Sequence, residues 1–280
     1  MSPTRELTGA RRATVPLLTV LGTALVAAFA LAPAALLRGR YPQYQGEPEL
    51  GAEVGRSFSL FWSEGVRSLP AELTTLVDYW FEWHAIKVVV SALLVVVFGL
   101  LAASLWRRVL AAGSGRTAVE IGSVTAAVSA TVLAAASVLL AVFNVQATAV
   151  PLVALLPLLS GNEARDALGP TLDQMTRAVG DAGSSPAASP VLLSLLEQVD
   201  RYSMTMIVLA STLGIAFGVA SVVLVRRYAT IGRAERSRRV VYAVLGAVTA
   251  VMTMVMALLL LIAGTALADP LSALLDLLGV

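Results

Sequence analysis

The sequence predicts an all-α fold: a polytopic membrane helical bundle of about five transmembrane helices, with amphipathic helices in its extracytoplasmic loops. Three observations predict it. Hydrophobic residues make up 58% of the chain and charged residues 14%, with a mean hydropathy of +0.82. Soluble domains carry about 25% charged residues, so this chain lacks the polar groups to cover a globular surface. Apolar runs of spanning length recur along the 280 residues, and the arginines are sorted to alternate gaps between them.

The runs cover residues 15–37, 88–106, 121–144, 204–225 and 240–268, and none contains Asp, Glu, Lys, Arg or His. Each is long enough to cross about 30 Å of hydrocarbon at about 1.5 Å per residue. Only a helix satisfies its own backbone there, which settles the secondary structure. The inner loops are then residues 107–120 and 226–239, and the outer loops residues 38–87 and 145–203.

Orientation follows from the cationic residues. With the amino terminus inside, the cytoplasmic segments hold Arg5, Arg11, Arg12, Arg107, Arg108, Arg116, Arg226, Arg227, Arg233, Arg236, Arg238 and Arg239, against Glu6, Glu120 and Glu235. Short loops rich in arginine stay in the cytoplasm. Arg226, Arg227, Arg236, Arg238 and Arg239 are the strongest topology determinants, because reversal would carry that whole loop across the membrane. The carboxyl terminus is therefore expected outside, and the pI near 9.2 reflects topology rather than nucleic-acid binding.

The first run has a second reading. Arg11 and Arg12 ahead of an apolar stretch containing Ala28, Phe29 and Ala30 fit a cleaved signal peptide. They also fit a twin-arginine signal, except that Thr14 stands where a bulky apolar residue belongs. The run exceeds the roughly 7–15 residues of a signal core, which favours an uncleaved anchor. The third run continues apolar to Leu159. Asn144 and Gln146 are polar, and Pro151 disfavours helix at Val150, so the membrane exit is expected at residues 144–147. Residues 150–159 would then form a short apolar helix on, or dipping into, the outer leaflet, with a re-entrant hairpin as the alternative.

In the first outer loop, residues 41–49 are rich in turn formers and read as irregular. From Pro70 the spacing of Leu73, Leu76, Val77, Trp80 and Phe81 predicts a helix feeding the second run. Tyr79, Trp80, Phe81 and Trp83 would sit at the outer interface and Trp106 at the inner one, as an aromatic belt. The second outer loop holds two candidate helices, residues 163–179 (weakened by Gly169 and Pro170) and 190–201, joined by a Gly/Ser/Pro linker at 180–189. Glu163, Asp166, Asp173, Asp181, Glu197 and Asp200 keep those surfaces solvated. Asp269 as N-cap and Pro270 as first helical residue open a short amphipathic tail. Within the spans, Gly214 and Gly218, with Ala210, and Gly246, with Ala250, are small residues that let helix backbones approach.

Candidate chemistry is sparse. The chain has no cysteine, which removes disulfides, thiolate metal sites and thiol nucleophiles. Asp78, Glu82, His84 and Lys87 form a polar cluster before the second run, fit in principle for a metal or a proton-transfer pair. The bland reading is hydrated charge, with Lys87 snorkelling to head groups. Met204, Met206, Met252, Met254 and Met256 offer thioethers, but Met252 and Met256 share a face that Met254 does not, as apolar filling would. Phosphate-loop and nucleophile-elbow motifs are absent. No catalytic residue, metal or cofactor is expected.

The stretch from Leu76 through Tyr79, Trp80, Phe81, Glu82, Trp83 and His84 to Lys87, followed by the second run and Leu105, Trp106, Arg107 and Arg108, resembles a segment recurring in uncharacterised multi-pass membrane proteins of actinobacteria. Several of those are labelled only by a supposed twin-arginine signal. The resemblance implies a bacterial cytoplasmic membrane and no particular activity. The function expected is that of a non-enzymatic integral membrane scaffold or accessory subunit of an envelope complex. Its partners would be the lipid bilayer and a membrane or extracytoplasmic protein, with no nucleic acid. The alternative is a transporter or channel-like protein for an apolar or lipidic substrate. A membrane enzyme resting on Asp78, Glu82, His84 and Lys87 is a third.

Overall fold

A computed structural model describes residues 3–44, 47–112, 117–182, 189–232 and 235–279. Its elements in chain order are α1 (Pro3–Leu37), α2 (Glu47–Glu64), α3 (Ala71–Ala112), α4 (Thr117–Ala149), α5 (Pro151–Leu155), α6 (Asn162–Leu168), α7 (Pro170–Ala182), α8 (Pro190–Thr230), α9 (Arg236–Ala268) and α10 (Pro270–Leu278). Short 3-10 turns occupy Pro42–Tyr44 and Leu156–Ser160, and there is no strand among the described residues. The fold is all-α. Among the described residues, helices α1, α3, α4, α8 and α9 contain five segments long and apolar enough to cross a membrane. Helix α3, at 42 residues, is about 63 Å long, twice the thickness of a hydrocarbon core. Its surplus turns therefore lie outside any bilayer it crosses.

The chain condenses into two compact units. The first comprises Met1–Leu31, Lys87–Val142 and Ala210–Leu258. Its interior is built from Leu18 on α1; Val90, Leu94, Val97, Phe98, Leu101, Leu105 and Trp106 on α3; Ala127 and Ala130 on α4; and Val241 on α9. Its outward side chains are apolar too. Val20, Ile215 and Met254 are 68%, 69% and 74% exposed. A water-facing surface does not present rows of such residues, whereas a lipid-facing one does. Helices α8 and α9 meet at small residues: a Cβ on Gly214 would lie 3.2 Å from Met256 Cβ, one on Gly218 3.7 Å from Thr253 Cγ2, and one on Gly246 3.7 Å from Leu224 Cβ. The methionines sort by face, Met252 and Met256 buried and Met254 outward.

The second unit comprises Ala32–Ile86, Phe143–Leu209 and Leu259–Val280. It has a hydrophobic core of its own, and part of its surface is charged. Phe58 and Phe61 from α2, Leu73 and Leu76 from α3, Leu168 from α6, Met175 from α7, Leu192 and Leu195 from α8, and Leu274 and Leu278 from α10 close one core. Its surface carries exposed charges, among them Glu49, Arg56, Glu64, Arg67, Glu72, Glu163, Asp166 and Asp173. At about 1.5–3 kcal/mol for each buried large aliphatic side chain, this core is a principal source of the unit's stability.

Several expectations are corrected here. Residues 150–159 do not lie on a lipid surface. Pro151 opens a five-residue helix that tightens into a 3-10 turn, and Leu152, Val153, Leu155, Leu156 and Leu159 are buried at the centre of the second core. Their apolarity, which suggested lipid, is satisfied by protein. The stretch 41–49 is not irregular throughout: Pro42–Tyr44 is a 3-10 turn and α2 begins at Glu47, while Gln45 and Gly46 lie outside the described residues. Helix α4 continues to Ala149, and the helix expected at 190–201 is the first part of the continuous α8. The helix expected at 163–179 is two, because Gly169 takes φ +53, a left-handed conformation that favours glycine, and Pro170 then starts α7. Of the expected linker, residues 183–188 lie outside the described residues. Ser189 Oγ accepts the Leu192 backbone N–H at 3.2 Å, capping α8. The tail helix starts as its Asp-Pro pair predicts, with Asp269 Oδ1 accepting from the Ser272 N–H at 3.1 Å.

One contact in the second unit is unusually close. Helix α2 crosses α6 at Gly55, where an added Cβ would overlap the Ala164 carbonyl oxygen and lie 2.9 Å from Ala167 Cβ. One turn earlier, a Cβ on Gly51 would make ordinary contact, 3.9 Å from Glu163 Cβ.

Candidate functional site

The four residues of the expected polar cluster do not converge. Asp78 is exposed on α3. Glu82, one turn on, is three-quarters buried; its Oε1 pairs with Arg40 Nη1 at 2.6 Å and accepts the Tyr41 hydroxyl at 3.2 Å. His84 turns to α4, its Nδ1–H donating to Asn144 Oδ1 at 2.9 Å, and stacks edge-on against Trp80. Lys87 belongs to the first unit, where its ammonium lies 5.1 Å from the Phe29 ring centroid. Helical geometry explains the dispersal, since positions 78, 82, 84 and 87 project around more than one face of a helix. Among the described residues, no three His, Asp or Glu side chains are placed to hold a metal ion.

What surrounds them is a packed polar and aromatic layer. Tyr41, Tyr44 and Tyr79 form a cluster with centroid separations of 5.0–6.1 Å, extended by Trp83 at 5.7 Å from Tyr79. Burial raises the phenol pKa of Tyr41 above its ordinary value, and the Glu82 carboxylate raises it further; burial likewise raises that of Tyr44. Gln146 Nε2 donates to the Tyr202 carbonyl at 3.2 Å, tying α4 to α8. The polar residues expected to mark a membrane exit are therefore helix-to-helix fasteners. The aromatic belt is corrected as well. Tyr79 is buried in the second core, and Trp106 is buried in the first, its indole N–H donating to Thr131 Oγ1 at 3.0 Å. Phe81 alone of the five is well exposed, at 46%.

Sequence reasoning missed a groove on α8. Helix α4 ends at Ala149 and the chain turns at Val150, leaving a notch of about 580 Å³ beside α8. Its lining is Ala149, Val150, Glu197, Asp200, Arg201, Met204, Thr205, Val208 and Leu209. Positions 197, 200, 201, 204 and 208 share one helix face, so the groove passes from charge to hydrocarbon along a single element. Arg201 Nη2 pairs with Glu197 Oε1 at 3.0 Å, both well exposed. One Asp200 carboxylate oxygen is sealed from solvent and accepts no protein hydrogen bond. The sequence signal was available: two acids and an arginine at helical spacing, then Met204 and Val208 continuing the same face.

The basic residues at 226–239 divide between partners and solvent. Arg238 pairs with Glu235 at 2.7 Å, and Arg239 donates to the Tyr228 hydroxyl at 3.1 Å while lying over its ring. Arg226, Arg227 and Arg236 are exposed. Arg116 and Arg233 lie outside the described residues.

No family model matches the chain, and neither a curated protein nor a solved structure is similar to it. The fold therefore defines the class on its own: an all-α protein with five helices long and apolar enough to cross a membrane, a multi-pass arrangement, carrying a second unit with its own core.

Proposed function

We propose that this chain is a non-enzymatic scaffold or accessory subunit of a bacterial envelope complex, set in the cytoplasmic membrane with its amino terminus inside and its carboxyl terminus outside. The observation that carries the reading is the second core, assembled from three separated stretches of chain. Turns that merely joined spans would have no need of it. Under the arginine-based orientation the loops holding α2, α6 and α7 face outward, and the loop with Arg226, Arg227 and Arg236 faces the cytoplasm. The disposition of polar groups supports the same reading. No ionisable side chain lies in the apolar runs, and Asn144, Gln146 and Thr131 each engage another helix. Proton and ion pathways are usually marked by ionisable groups within the spans.

The groove on α8 favours the second reading, a transporter or channel-like protein for a lipidic substrate, because its lining passes from charged to apolar. Native mass spectrometry of the protein cross-linked in its own membrane separates the two. The scaffold reading expects the 29.1 kDa chain to carry a second protein in fixed stoichiometry. A chain that is recovered alone after cross-linking, under every mild extraction, counts against it.

A further inference from the structure

The turn between α8 and α9 gathers positive charge at the end of an exposed apolar helix face. Its described residues, 226–232 and 235–239, hold five arginines and one acid, Glu235. Glu235 is taken by Arg238, and Arg239 is held over the Tyr228 ring while donating to its hydroxyl. Arg226, Arg227 and Arg236 are exposed and form no ion pair among the described residues. The Arg239–Tyr228 contact keeps the two helix ends together, as does Gly246, where a Cβ would lie 3.7 Å from both Leu224 and Val225. Arg226 also ends a row. Ile215, Val219 and Val222, each more than half exposed, precede it at spacings of four, three and four residues, one face of the helix. Arg227 follows the half-exposed Val223 by one turn. From Ile215 to Arg226 the helix rises about 16 Å, close to the roughly 15 Å of hydrocarbon in one leaflet.

We infer that this turn binds the head group of an anionic phospholipid, with Arg226 and Arg227 on its phosphate and one acyl chain along Ile215, Val219 and Val222. A guanidinium meets phosphate oxygens through paired N–H donors, and both groups are open to the outside. Arg236 adds attraction from the start of α9. The charge balance selects the class of lipid. A zwitterionic head group brings an ammonium of its own toward cations that outnumber the acid five to one, whereas an anionic head group brings none. Orientation in the membrane asks only that the arginines stay on one side. A lipid site asks that they stand at the end of an exposed row of acyl-chain length, as Arg226 does. The site goes beyond the scaffold reading and does not depend on it, since a bound lipid and a protein partner differ in mass.

The test uses the purified full-length chain in mild detergent, titrated with phosphatidylglycerol, phosphatidylethanolamine and phosphatidylcholine of identical acyl chains, and read by native mass spectrometry. The glycerol lipid is expected to be retained at about 25-fold lower concentration than either zwitterionic lipid, about fivefold for each of the two arginines on its phosphate. The pair Arg226→Gln and Arg227→Gln should abolish that preference. Arg226→Gln alone leaves four described arginines in the turn and should weaken retention of the glycerol lipid about fivefold, which keeps the test decisive if the pair fails to fold. Arg67→Gln with Arg177→Gln removes the same charge from exposed positions in the second unit and should leave the preference as it was. Excess inorganic phosphate, with ionic strength held constant by chloride, should leave the lipid bound. Equal retention of the three lipids overturns the proposal, as does a preference unmoved by Arg226→Gln or by the pair. Equal loss in the Arg67 and Arg177 variant would reduce the effect to net charge and overturn it too. Displacement by inorganic phosphate would make the turn a phosphate site rather than a lipid site.

Discussion

Gly55→Ala is expected to destabilise the second unit by about 2–3 kcal/mol, although the change adds a single methyl group. Alanine is otherwise the better helix residue, by about 0.5–1 kcal/mol. At this position the new Cβ would overlap the Ala164 carbonyl oxygen on α6. Backbone cannot move aside as a flexible side chain can, so α2 and α6 must separate, and overpacking of this kind costs about 1–3 kcal/mol or more. Gly51→Ala is the control. Its Cβ finds open contact at 3.9 Å, so the helix gains alanine's propensity and loses nothing. Thermal unfolding followed by tryptophan fluorescence suits the comparison, because Trp62, Trp80 and Trp83 pack against the second core. A lowered transition for Gly55→Ala beside an unchanged or raised one for Gly51→Ala is the expected pair. Equal effects at both positions would show that the helix crossing is not set at Gly55.

Leu156→Ala should cost about 2–5 kcal/mol, the range for truncating a buried leucine whose surroundings relax only in part. Leu156 is fully buried, in one core with Leu152, Val153, Leu155 and Leu159 of the same segment, which packs against α2, α6 and α10. Met254→Ala removes a comparable volume at a position 74% exposed on α9, and is expected to change stability by no more than about 0.5 kcal/mol. Guanidinium or thermal denaturation in one detergent compares the two directly. Were the segment 150–159 resting on a membrane surface, Leu156→Ala would behave like Met254→Ala.

These two predictions fall where sequence reasoning and structure part. The five long apolar helices were legible because length and the absence of charge mark them, whatever the tertiary contacts. The start of α10 was legible because a cap is local chemistry, Asp269 followed by Pro270. The segment 150–159 was not. An apolar run of ten residues satisfies lipid and a protein core equally well, and only the partners, Phe58, Phe61, Leu73 and Leu192 from distant parts of the chain, decide between them. Helix α2 was readable in hindsight from Leu50, Val54, Phe58 and Phe61 at helical spacing, but the turn formers just before it drew attention away. The candidate cluster failed for a related reason. Asp78, Glu82, His84 and Lys87 are neighbours in sequence, whereas their partners Arg40, Asn144 and Phe29 are set by folding. The α8 groove needed the end of α4 beside it, a juxtaposition that no local pattern carries.

The proposed orientation, with the loop after α2 outside and the loop after α8 inside, is tested most directly by cysteine labelling in intact cells. The chain contains no cysteine, so single substitutions report without background. Arg67→Cys lies at an exposed position between α2 and α3, and Thr230→Cys at the exposed end of α8. A membrane-impermeant maleimide should modify Arg67→Cys in intact cells and Thr230→Cys only after permeabilisation. The reverse pattern would turn the protein over in the membrane, place the loop after α2 in the cytoplasm and contradict the reading as an outward-facing scaffold.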